Sequence, residues 1–127
     1  IFDIRPCPTP LPPPASNWSS LATAKPFIVV SGSGLARQQT EVHACYTNDS
    51  LHVKFDCIDE KIHSTFTKCN EPLYQQDTVE MFLTNPYAVD LHYYLELELS
   101  PHGVLFASII YNPVRTAPNN LTRARNL

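Results

Sequence analysis

Glu80, Tyr94, Glu96 and Glu98 occupy alternate positions in two neighbouring stretches, YQQDTVEMFL (74–83) and YLELELSPHG (94–103). Successive side chains of a strand leave on opposite faces, so this spacing gathers three carboxylates and two aromatics on one side of a hairpin. Carboxylates accept hydrogen bonds from hydroxyl groups, and an aromatic ring stacks on the apolar face of a pyranose. The set therefore has the composition of a platform for a hydroxyl-rich ligand. An ordinary solvated sheet face gives the same alternation.

Other residue sets bear on chemistry less directly. Asp56, Asp59, Asp77 and Asp90 are oxygen donors of the kind calcium takes, although no EF-hand loop is present and aspartates at strand ends also form turns. A structural calcium is thus an expectation the spacing does not place. His43 and His52 share a face with Cys45 between them, a marginal case for a transition metal. Glu80 and Glu96 resemble a glycosidase carboxylate pair, but nothing in the pattern supplies a cleft, and no Ser-His-Asp or Cys-His arrangement follows from the spacing. The expectation is a protein without catalytic function.

The elements that must position these residues are strands. Val79, Met81 and Leu83 alternate with Glu80 and Phe82. Leu91, Tyr93, Leu95, Leu97 and Leu99 alternate with His92, Tyr94, Glu96 and Glu98. The leucine face is expected to be core. Upstream, residues 40–46 and 51–57 flank the turn Thr47-Asn48-Asp49-Ser50, and a register pairing Tyr46 with Leu51 is expected to bury Val42, Ala44 and Tyr46 together with Leu51, Val53 and Phe55. Phe27 to Val30 reads as a buried strand closed by Ser31-Gly32-Ser33-Gly34, and Val104 to Tyr111 as the last clear strand. Residues 58–76 read as a polar connection with at most a short turn. Five or six strands at short spacing, without an amphipathic helix, predict an all-β antiparallel sandwich of jelly-roll or immunoglobulin-like type.

The chain has 127 residues and a net charge of −3, enough for one core and the wrong sign for nucleic acid. No apolar run is long enough to span a bilayer. Four cysteines without C-x-x-C spacing favour disulfides in an oxidising compartment over zinc. Cys45 and Cys57 point to opposite faces of their hairpin, so the preferred pairing is Cys7 with Cys45 and Cys57 with Cys69. Asn17, Asn48 and Asn120 each open an N-x-[ST] acceptor triplet. Together these features predict a secreted, extracellular glycoprotein. Trp18, inside the first triplet, is expected to anchor the core.

Six of the twelve prolines lie in residues 6–14, so the expected organisation is a proline-rich arm over 1–16, a sandwich over 17–115 and a polar, irregular tail over 116–127.

From Trp18 to Tyr111 the order of motifs resembles carbohydrate-binding module family 9 and its DOMON-like relatives. The motifs are a T-x-V-x-A-x-Y hairpin into L-H-V-x-F-x-x-x-D, then L-Y-x-x-D-T-V-E-M-F-L and Y-L-E-L-E-L-S-P-x-G. Asp77 to Leu83 stand at the family's D-x-V-E box and Tyr94 to Gly103 at its second box. The resemblance implies a non-catalytic jelly-roll sandwich, often containing calcium, that binds sugar chain ends between two tryptophans. This chain has one tryptophan and stops soon after Tyr111, so the sandwich is expected to lack its C-terminal strands. Two partners follow. One is a glycan or surface component held by the Glu80, Tyr94, Glu96 and Glu98 face. The other is a second copy of the chain, joined by strand addition to an exposed sheet edge with Ile1 to Arg5 as the donated strand.

Overall fold

The computed structural model describes residues 3–11, 13, 15–85, 92–112 and 122–126. The chain is all-β, with two four-stranded, largely antiparallel sheets, the sheet content a β-sandwich requires. Its one described α-helix, α1, is the single turn Ala15–Trp18. The chain divides into two compact units, Ile1–Glu60 and Lys61–Leu127, each with its own sheet.

The first unit is organised around β3 (Thr40–Tyr46), which pairs along its whole length with β4 (Leu51–Cys57). The register sets Tyr46 opposite Leu51, as the turn sequence requires, but both are exposed at the turn end. On the other face His43 and Cys45 are buried, where Thr23–Ala24 and Arg5–Pro6 pair alongside and a disulfide closes on Cys45. Thr47 builds that turn twice over: its N–H donates to the Ser50 carbonyl at 2.8 Å, and its hydroxyl bonds Asp49 at 2.7 Å while accepting from the Ser50 N–H at 3.1 Å. The other edge of β3 is shared end to end. β2 (Thr23–Ala24) lies antiparallel against Val42 and His43, and β1 (Arg5–Pro6) lies parallel against Cys45 and Tyr46. The start of the stretch expected to be a proline-rich arm or linker thus lies along the unit and contributes a short strand to its sheet. Cys7, one residue on, bonds Cys45 with a Cα separation of 4.8 Å, which is the first of the two expected disulfides.

Phe27 to Val30 is not a buried strand. It forms one side of a small loop joined by the single bridge Ile28–Leu35, with Ile28 61% exposed and Val30 fully exposed. The reason is local closure: the Val29 N–H bonds the Gly34 carbonyl, Gly32 turns at φ 73°, and among the described residues of this unit no strand covers the segment. Gln39 clamps the base through the Phe27 N–H and the Phe27 and Ala36 carbonyls.

The second unit is an antiparallel meander in the order β5 (Val79–Leu83), β6 (Tyr93–Leu99), β7 (Leu105–Tyr111) and β8 (Thr122–Asn126). β6 and β7 are joined by the expected Ser100-Pro101-His102-Gly103 turn, in which Gly103 adopts φ 78° and the Ser100 hydroxyl accepts the Val104 N–H. β8 corrects the reading of the tail. Polar as TRARN is, it pairs with Ser108 to Tyr111, because an edge strand needs backbone partners rather than apolar side chains. Where β8 ends, Asn70 continues the edge: its N–H donates to the Leu105 carbonyl and its side-chain oxygen accepts the Ala107 N–H.

Burial in this sheet departs from the expected pattern, with Ala107 the only buried residue on the leucine face among the described residues. Glu98, Ser100, Phe106, Ser108 and Ile110 are all buried and share one face, the carboxylate face. On the leucine face Tyr93, Leu99 and Leu105 are 50, 46 and 43% exposed. The cause is the connection after residue 60. Its 3₁₀ turn, Leu73–Gln75, packs on β6, with Leu73 1% exposed. Side chains in place of a ladder hold this connection: Glu71 accepts the N–H groups of Thr67 and Lys68, and Gln76 bonds the N–H and hydroxyl of Thr65.

Candidate functional site

The face carrying Glu80, Tyr94, Glu96 and Glu98 is built by register. Glu80 lies directly across from Glu98, and Phe82 across from Glu96. Across the next ladder Glu98 faces Phe106, Glu96 faces Ser108 and Tyr94 faces Ile110. The four residues are thus neighbours on one side of the second unit's sheet. Their exposure differs sharply. Glu80 is exposed, and Tyr94 and Glu96 are half-buried, but Glu98 is 1% exposed and cannot offer a contact surface.

Phe82 belongs to this face, as the alternation of β5 requires, although it is not among the four ligand residues expected from the sequence. It is 56% exposed and meets Tyr94 edge-on, with ring centroids 5.8 Å apart and planes 70° apart. Such T-shaped pairs hold both rings in place. The signal for Phe82 was present in the alternation itself, since it shares the parity of Glu80. Burial raises the Tyr94 phenol above its ordinary value, and the neighbouring Glu96 charge adds to the effect. Tyr94 is therefore a neutral hydroxyl at any physiological pH.

Glu98 is the electrostatic outlier. Among the described residues neither carboxylate oxygen has a hydrogen-bond partner. Burial pushes its carboxyl up to about 7, Glu80 and Glu96 adding like charge. The Tyr74 backbone approaches without reaching hydrogen-bond geometry and offsets only part of this.

The remaining candidates are dispersed. Asp56 pairs with Lys54 at 2.6 Å and lies 3.6 Å from His43, Asp59 accepts from Gln38, and Asp77 accepts the His63 N–H. Asp90 lies outside the described residues. No group of three His, Cys, Asp or Glu side chains is placed to hold a metal among the described residues. His43 is buried, with Nδ1 3.2 Å from the Thr23 hydroxyl, and Cys45 is consumed in the disulfide, so the His43, Cys45 and His52 set offers no thiolate. Cys57 and Cys69, expected as the second bridge, are free and exposed thiols, one in each unit. Asn48 is exposed at the tip of the β3–β4 turn, Asn17 is half-buried in α1 beside a half-buried Trp18, and Asn120 lies outside the described residues.

The sheets define an all-β protein, its disulfide suits the oxidising conditions outside the cell, and among the described residues no helix is long and apolar enough to cross a membrane. The chain is 34% identical over 77 residues to a protein of Arthroderma benhamiae named "Extracellular protein". That match covers 59% of this chain and 34% of the relative, so the chain spans about a third of the relative's length. No family description matches the chain, and neither does any solved structure. No catalytic family is indicated.

Proposed function

We propose that this chain is a non-catalytic extracellular recognition domain that binds glycan on the face formed by Glu80, Phe82, Tyr94 and Glu96. The observation that carries the reading is the solvent-facing Phe82–Tyr94 pair with a carboxylate on either side: Glu80 exposed, Glu96 half-buried. Rings fixed edge-to-face give a pyranose a surface to stack on, and the carboxylates take hydroxyl hydrogen bonds that fix its orientation. The resemblance of Asp77 to Leu83 and Tyr94 to Gly103 to carbohydrate-binding module family 9 supports the same face. In this reading Glu98 lies beneath the platform and shapes its charge.

The test is retention on immobilised glycans of wild type, Phe82→Ala and Tyr94→Ala. Wild type should be retained by at least one glycan, and each variant should weaken binding about tenfold, the scale of a lost aromatic contact. A wild-type protein that passes unretarded through every glycan column would sink the proposal.

A further inference from the structure

We propose that the ligand of this face is a cationic glycan, one bearing protonated amino sugars, with an ammonium group seated on Glu80 and Glu96 above the buried Glu98. The inference rests on the reading of the face as a glycan site. Glu80 and Glu98 are direct cross-strand partners, an arrangement in which like charges destabilise a sheet. Among the described residues no cation lies within ion-pairing distance of either, and both Glu98 oxygens are without a hydrogen-bond partner. A neutral hydroxyl would leave this repulsion in place. An ammonium group relieves it, and the adjoining Phe82 and Tyr94 rings add a cation–π contact.

Binding should also move a proton. The titratable groups facing Glu98 are Glu80 from β5 and Glu96 from its own strand; the 3₁₀ turn approaches through the Tyr74 backbone, and β7 presents Phe106 and Ser108. Both are carboxyl groups, so neither Glu80 nor Glu96 can carry a positive charge. An arriving ammonium is thus the charge that makes the Glu98 carboxylate tolerable. Glu98–COOH passes its proton to solvent as the complex forms.

The experiment is calorimetric titration with a glucosamine oligomer, its N-acetylated counterpart and a cello-oligomer of equal length, in two buffers of different ionisation heat at mildly acidic to neutral pH. The glucosamine oligomer should bind about tenfold more tightly than either neutral chain, a preference that shrinks at high salt. Glu98→Gln should remove the proton release that wild type adds to that of the ligand, and Glu80→Gln, at an exposed position, should erase the preference without unfolding the protein. Equal affinity for all three oligomers overturns the inference and leaves the glycan reading standing. Binding of none overturns both. A preference untouched in Glu80→Gln and Glu98→Gln places the cation elsewhere and overturns the assignment.

Discussion

Replacing Glu98 by Gln should stabilise the protein above neutral pH and leave it nearly unchanged in acid. The folded carboxyl sits at about 7 against an ordinary value of 4.5. Below pH 4.5 folded and unfolded chains both hold the proton, and there is no pH-linked difference. Between 4.5 and about 7 the unfolded chain releases it while the folded chain retains it, so stability falls as pH rises, and above about 7 the loss is complete. At about 1.36 kcal/mol per tenfold change in proton affinity, the full loss is about 3.4 kcal/mol. Glu98 is closed to solvent, but the protein around it is thin, and screening by nearby water lowers the expected figure to about 2 kcal/mol. Gln carries no proton to lose and has nearly the same volume, so it isolates the charge. The assay is urea unfolding of wild type and Glu98→Gln at a series of pH values. The two curves should run parallel in acid and separate by about 2 kcal/mol at alkaline pH. Parallel curves across the whole range would refute the placement of Glu98 in a closed, unpartnered site.

Other consequences are open to measurement. The Cys7–Cys45 bond closes 38 residues of sequence, and its loss in Cys7→Ser should lower stability by about 4 kcal/mol by chain-entropy reasoning, read as a drop in the melting midpoint of the first unit. Asn70 adopts φ 64° and accepts the Ala107 N–H; Asn70→Gly keeps the backbone conformation and loses the side chain's bonds, whereas Asn70→Ala should cost about 1 kcal/mol more, measured by denaturant unfolding. Gln39→Ala releases the base of the Phe27–Ala36 loop and should speed amide exchange at Phe27 and Ala36 while leaving the β3–β4 ladder protected. Asn48, exposed on its turn, should carry a glycan when the protein is secreted from eukaryotic cells, seen as a glycosidase-sensitive mass lost in Asn48→Gln.

The β3–β4 hairpin was legible because two signals agreed. Alternation fixed the faces, and the four-residue turn Thr47 to Ser50 fixed the register. β5, β6 and β7 were legible for the same reason, as was the meeting of Glu80, Tyr94, Glu96 and Glu98 on one side. Which side is buried was not legible. Alternation says that two faces differ, but the choice between them depends here on Leu73, which lies outside every strand in a connection held by side-chain hydrogen bonds with no periodic signature. β8 escaped notice because its pairing is carried by the backbone alone, and Phe27 to Val30 misled because an apolar run records composition, not the presence of a neighbour to cover it.

The bond between Cys7 and Cys45 has a mechanical consequence. A pull applied to the chain before Cys7 reaches β3, the central strand of the first unit, through a covalent bond rather than through the two-residue pairing of β1. Tension then bypasses the chain between the two cysteines: α1, β2 and the Phe27–Ala36 loop stay slack while the load passes into the β3–β4 ladder, whose seven cross-strand pairs run from Thr40 to Tyr46. Most of the proline-rich segment, Pro8 to Pro14, lies inside the bypassed stretch and is shielded from load, while the residues before Cys7 are anchored at a single covalent point.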